Sequence, residues 1–334
     1  MSMISLGDMA QSFLLRRQNT DLKTDLQRLT SELSSGNAAD LGKHIGGDYG
    51  PIAGIDSSLA RLQGYKSATS EAALLSGSMQ TVLGTVESMS SSLAPILLAA
   101  SSAGSTAQIS SVAGEARQKL GTAVALFNTD VGGRALFAGM STDQNAIADV
   151  DTLLAALDTE IIGATSAQDI DTRVTAWFNS ATGYGAVGYL GNSPLSPLAI
   201  APGETADLGF TAADPGIRDT LKGLAMAALL DRGALAGDTQ ARADLARRAG
   251  ENLVSSQSSR ANMAARLGTA EGQIEAAATR NSAETSSLQI ARNGITGVDP
   301  YETASKLEAT RQQIEMLYTL TSRISRLSLV DYLR

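Results

Sequence analysis

The chain carries few residues able to do acid–base or metal chemistry. It has one histidine, His44, and no cysteine. That composition excludes a thiol nucleophile, a zinc finger, a disulfide framework and a multi-histidine metal site. His44 lies beside Lys43 among the glycines between Gly42 and Gly50. A general base needs a nucleophile and an orienting group within reach, and this setting reads as a surface histidine. Asp149/Asp151 and Asp169/Asp171 are carboxylates two residues apart. They lack the further oxygen ligands and in-register turn glycine of a calcium loop, so they are expected as acids at helix N-termini, where the helix dipole favours negative charge. Gly183-Tyr-Gly-Ala-Val-Gly188 has GxGxxG spacing, but a dinucleotide fingerprint follows a strand and opens a helix. Here Trp177-Phe178-Asn179 ends a helical pattern and Gly191-Asn192-Ser193-Pro194 comes after, so a flexible loop is expected. No Gly-x-Ser-x-Gly elbow flanked by strand and helix is present. The reading is no enzyme, no cofactor and no metal.

The elements that would position any side chain are mostly helical. Of 334 residues, 43% are hydrophobic, 18% charged and only 4% aromatic. Aromatic rings dominate wide cores, so this composition favours narrow helix-on-helix packing, with room for two or three domains. Between 141 and 220 there are eleven acids and two bases. That stretch is net −9 in a chain of net −8, which leaves the rest at +1. Four of the seven prolines (Pro194, Pro197, Pro202, Pro215) and five aromatics lie in or near it. The near-neutral flanks offer no basic stripe for nucleic acid. No run reaches the eighteen apolar residues of a membrane span, and Arg16-Arg17 follows Phe13-Leu14-Leu15 where a secretory signal would have it precede. The conventional reading is cytoplasmic, except that export routes without a cleavable signal leave no such mark.

Two stripes stand out. Leu15, Leu22, Leu26, Leu29 and Leu33 recur at helical spacing and end at Ser34-Ser35-Gly36. Asp299-Pro300-Tyr301-Glu302 is a helix start, with Asp at the N-cap and Pro at the first helical position. Leu307, Ile314, Leu317, Ile324 and Leu327 follow it on one face. Neither helix can bury its stripe alone, and each is the other's simplest partner. Inside them, helical patterns cover roughly 52–101, 109–131 and 238–292 (boundaries good to a few residues). Met263, Leu267, Ala270, Ile274 and Ala277 form a further seam, and Gly54, Gly64, Gly77 and Gly84 are expected to allow close helix approach. Within the acidic stretch, 149–162 and 166–178 read as short helices, and Leu198–Phe210 as two short strands joined by a Pro-Gly turn. The expected architecture is mainly α. Residues 1–40 and 294–334 form a terminal coiled-coil assembly domain, 41–140 and 236–293 a helical bundle core, and 141–235 a small acidic α+β outer domain.

Several stretches resemble the flagellin-type axial proteins of bacterial flagella. They are Met3-Ile4-Ser5, Leu26-Gln-Arg-Leu29-Thr-Ser-Glu-Leu33-Ser-Ser-Gly36, Asp56-Ser-Ser-Leu59-Ala-Arg-Leu62-Gln-Gly-Tyr65 and Gly133-Arg134-Ala135-Leu136-Phe137-Ala138-Gly139. On the C-terminal side, Arg266-Leu267-Gly268, Asn281, Asp299-Pro300 and Gln313 fit the same pattern. The ending Leu327-Ser328-Leu329-Val330-Asp331-Tyr332-Leu333 is similar to that of the family's hook–filament junction members. The flagellin stretch Arg-Ile-Asn-Ser-Ala is absent, and the family's Ser-Asp-Asp-Pro turn is represented only by Gly47-Asp48-Tyr49-Gly50-Pro51. The resemblance implies a structural, extracellular protein of the flagellum. It would be exported unfolded by the flagellar type III apparatus, with an export chaperone. It would assemble as a ring of identical subunits between a neighbouring hook-associated protein and flagellin, with the acidic segment outward and with no membrane or nucleic-acid partner. Flagellin itself, and a coiled-coil effector or translocator of another type III system, are the alternatives.

Overall fold

The computed structural model describes residues 6–332, with side-chain surroundings for 9–324. It is mainly α, with long helices and two small hairpins, as expected. In order come α1 (Leu6–Ser35), α2 (Leu41–His44), α3 (Gly50–Ala103), α4 (Thr106–Phe127), β1 (Asp130–Val131), β2 (Arg134–Ala135), α5 (Val150–Glu160) and α6 (Ala167–Asn179). After a π-helical turn at Tyr184–Gly188 follow β3 (Leu198–Ala201), β4 (Glu204–Ala206), α7 (Pro215–Asp231), α8 (Thr239–Ser255), α9 (Gln257–Thr296) and α10 (Pro300–Tyr332). The chain divides into two compact units: one built from the chain up to Leu62 and from Ala283 onward, the other from Gln63–Ser282.

The second unit is organised around α7. Asp214 precedes Pro215 at the first helical position, a favoured start because proline's missing N–H would have no intrahelical partner there. Ile217, Leu221 and every residue from Leu224 to Leu230 are buried, and the helix packs on α4, α8 and α6. The sequence reading assigned no helix here. From Gly223 to Leu230 every residue is buried, so this half of the helix has no polar face to mark its period. Its C-terminal carbonyls are met by the buried Arg242, which donates to Leu230 O at 3.0 Å and Ala234 O at 2.9 Å.

The buried residues of α3 alternate at three and four: Thr69, Ala72, Ser76, Met79, Leu83, Val86, Ser90, Leu93, Leu97 and Ala100. This is a heptad seam in which small hydroxyl residues take three positions. By length and composition α3 is long and apolar enough to cross a membrane, but Met79, Leu83, Val86, Leu93 and Leu97 are buried in this seam. In α9, Met263, Leu267, Ala270, Ile274 and Ala277 are all buried. The glycines of α3 do something other than expected. A Cβ placed at Gly54, Gly64, Gly77 or Gly84 would meet nothing within 4 Å, so within this chain they serve no close helix approach.

The pattern read as one helix over 238–292 is interrupted at Ser256. Arg260, buried in the seam, donates to Ser256 Oγ at 2.5 Å, Thr220 Oγ1 at 3.1 Å and Leu253 O at 3.3 Å, and it pairs with Glu87. A side chain competing for helix carbonyls is a recognised cause of such breaks. The 109–131 pattern likewise stops at Phe127. Asn128 pairs by its side chain with Ile147, accepting from its N–H and donating to its C=O, both at 2.8 Å. Gly132 and Gly133, both at positive φ, then turn the β1–β2 hairpin, as a two-residue primed turn requires.

Residues 141–235 contain the expected helices, as α5 and α6, and the Pro-Gly hairpin, as β3–β4. Asp149 is the N-cap of α5 and accepts from Thr152 N at 2.9 Å, while Asp169 lies in the first turn of α6. The GxGxxG stretch is a packed turn, which corrects the expected loop. Tyr184 stacks on Phe178 with ring centroids 5.3 Å apart, meets Trp177 edge-on and donates from its hydroxyl to Ala212 O at 2.9 Å. A Cβ at Gly188 would lie 2.4 Å from the Tyr184 ring, so the ring needs that glycine. Burial pushes the Tyr184 hydroxyl well above its ordinary pKa. Many of the acids between 141 and 220 face arginines outside those bounds: Asp151 with Arg117, Asp158 with Arg232, Asp171 with Arg248, Glu204 with Arg280 and Asp207 with Arg266. The charge asymmetry along the chain is thus partly an internal complementarity.

Two outcomes are expected. Gly77→Ala and Gly84→Ala should each raise stability by about 0.5–1 kcal/mol, because the new methyl meets open space and alanine is the better helix former; urea unfolding followed by circular dichroism would measure it. Burial alone would raise the Asp244 carboxyl, but hydrogen bonds from Arg247 and Arg248 outweigh it and hold it below the usual carboxylate range. A lowered folded-state pKa stabilises above the ordinary carboxylate pKa, and that stabilisation is lost as pH falls through the folded value. Asp244→Asn should therefore flatten the acid limb of a stability–pH curve while lowering stability at pH 7.

Candidate assembly surface

The first unit is built on the pairing of α1 with α10. Asp299 accepts at one carboxylate oxygen from Tyr301 N at 2.8 Å and Glu302 N at 3.1 Å, which starts α10 where the Asp-Pro signal places it. Leu29 is 3% exposed, Leu307 7% and Leu317 9%. Leu15, Leu22, Leu26, Ile314 and Ile324 are half-buried. Leu327 lies outside the residues whose side chains are described. Leu33 departs from the stripe: it is 39% exposed, and Glu32 is buried in its stead. The reason is a local network, in which Glu32 pairs with Arg28 at 3.0 Å and accepts from Ala39 N at 3.2 Å, turning that face of the last helical turn inward.

The seam also holds polar residues that reading by Leu and Ile passed over. Thr303 and Thr310 are buried, and Asn19 is half-buried. They fill the seven-residue gaps: Asn19 falls between Leu15 and Leu22, and Thr310 between Leu307 and Ile314. A strict four–three alternation carried through the gaps would have found them. Thr310 satisfies its hydroxyl on Lys306 O at 2.8 Å. Tyr318 is held below its ordinary pKa by the neighbouring side chains of Asn19 and then Lys23 of α1.

The foot of the helix pair is closed by main chain. Ala38 N donates to Thr296 O at 2.9 Å and Val298 N to Gly36 O at 3.0 Å, with Asn37 and Gly297 as antiparallel bridge partners. Thr296 Oγ1 and Asn37 Oδ1 add a bond of 2.9 Å. Beside this bridge lies a groove of about 490 Å³ bordered by Arg28, Glu32, Lys43, His44, Glu302 and Lys306. His44 is exposed, at the end of the one-turn helix α2. Among the described residues no three His, Cys, Asp or Glu side chains are grouped to hold a metal.

The helix pair leaves a second apolar surface uncovered. Met9, Phe13 and Leu14 of α1, and Met316, Tyr318 and Leu320 of α10, are each at least half exposed. Exposed apolar side chains gathered on one element mark contact surfaces.

Residues 255–333 match the family model of the bacterial flagellin C-terminal helical region. The last two helices are thus similar in sequence to the C-terminal region of flagellins. The match takes in all of α9 and all of α10, so one partner of the α1–α10 seam lies within the matched stretch. No curated protein matches the chain. Among solved structures, the chain is similar to a protein of Vibrio parahaemolyticus provisionally named a flagellar hook-associated protein. The two share 15% identity and a TM-score of 0.52, over 73% of this chain and 95% of that one. At that identity the likeness is one of fold.

The burial contrast on α1 makes a prediction. Leu29→Ala should destabilise the first unit by about 2–5 kcal/mol, as for other buried leucines. Leu33→Ala should stay within about 0.5 kcal/mol. Because the chain has two units, amide hydrogen exchange of α1 and α10 is the suitable measurement, since a single melting temperature would mix the two.

Proposed function

We propose that this protein is a structural component of the bacterial flagellum that joins hook to filament by self-assembly, without catalysis. The observation that carries the reading is the flagellin-type C-terminal region, whose last helix is zipped to α1 along a heptad seam. The junction role rests on the ending Leu327-Ser-Leu-Val-Asp-Tyr-Leu333 and on the absent Arg-Ile-Asn-Ser-Ala stretch. The resemblance in fold to a protein provisionally named hook-associated agrees with it.

In this reading the stripe residues Leu15, Leu22, Leu26, Leu29, Leu33, Leu307, Ile314, Leu317, Ile324 and Leu327 form the assembly domain. The uncovered Met9, Phe13, Met316 and Leu320 meet neighbouring subunits, and burying them supplies the association energy. The partners are further copies of the chain in a ring, an adjoining hook-associated protein and flagellin. Delivery is by the flagellar type III export apparatus with a chaperone, to an extracellular position at the hook–filament junction. The 141–235 segment faces outward.

Immunogold labelling of intact cells tests the placement. A single spot of gold where hook meets filament is the expected result. Label along the whole filament would make the protein a flagellin, and no flagellar label would overturn the flagellar reading. Leu26→Asp and Leu317→Asp should each abolish incorporation while the Gln63–Ser282 unit keeps its native exchange protection; normal assembly of either variant would sink the coiled-coil account.

A further inference from the structure

We draw no further inference here: the strongest candidate, the open groove of about 430 Å³ between α3 and α9 in the second unit, bordered by Ser70, Ala73, Ser76, Glu271, Glu275 and Ala278, carries nothing because no feature of the structure shows what covers it.

Discussion

A helix one stripe wide cannot bury that stripe against itself, and this constraint governs the first unit. α1 and α10 each present a row of Leu, Ile, Thr and Asn side chains whose only cover within the unit is the other helix. Zipping them brings together segments on opposite sides of the Asn37–Thr296 pair, which lie 259 residues apart in the chain. Closing so long a loop costs conformational entropy, and the apolar seam offsets it. The main-chain bridge at Gly36–Ala38 and Thr296–Val298 then sets which turn of α1 faces which turn of α10. Hydrophobic stripes alone tolerate slippage by a heptad; a bridge with defined hydrogen-bond partners does not. Polar seam residues act in the same direction, since a misplaced Thr or Asn would face an apolar neighbour at a cost in desolvation.

The second unit solves its packing differently. Its centre is α7, buried on all sides by α4, α8 and α6, so aliphatic and alanine side chains do what rings do in wider cores. Three of its aromatic residues, Trp177, Phe178 and Tyr184, pack together against the turn at Gly188, and Phe127 and Phe137 form a second pair. Around that core the acids of the 141–220 stretch meet arginines supplied by α4, α8, α9 and the end of α7. Most of these pairs are exposed, where each contributes little on its own. Their effect is on placement: they match an acidic segment to basic rims, and wrong arrangements would leave like charges opposed.

Assembly is where the two solutions bear on function. The seam uses one face of α1 and α10, while Met9, Phe13, Met316 and Leu320 remain on others. A helix pair with apolar side chains on both its inner and outer surfaces is suited to further association, and a flagellin-type sequence in its last member gives that association a setting. The single histidine is exposed, and the carboxylate pairs cap helices or meet arginines.

Much of this was legible from residues alone. Heptad spacing located α1, α9 and α10, the Asp299-Pro300 start and the Ser-Ser-Gly36 stop set their ends, and Pro-Gly marked the β3–β4 turn. Local rules suffice there because caps, turns and periodicity act within a few residues. Three features required the folded chain. The second half of α7 shows no polar face because every residue from Gly223 to Leu230 is buried. The exchange of Leu33 for Glu32 on the buried face depends on Arg28 and on Ala39, beyond the end of the helix. The break at Ser256 depends on Arg260 finding Glu87 and Thr220 on other helices. Sequence by itself determined most of the helical segments, α7 excepted, and most of their apolar faces, since those follow from backbone preference and spacing. Tertiary structure decided which charged groups enter the core, because a buried charge is tolerated only where partners complete its hydrogen bonds, as Arg260 finds in Glu87 and Thr220.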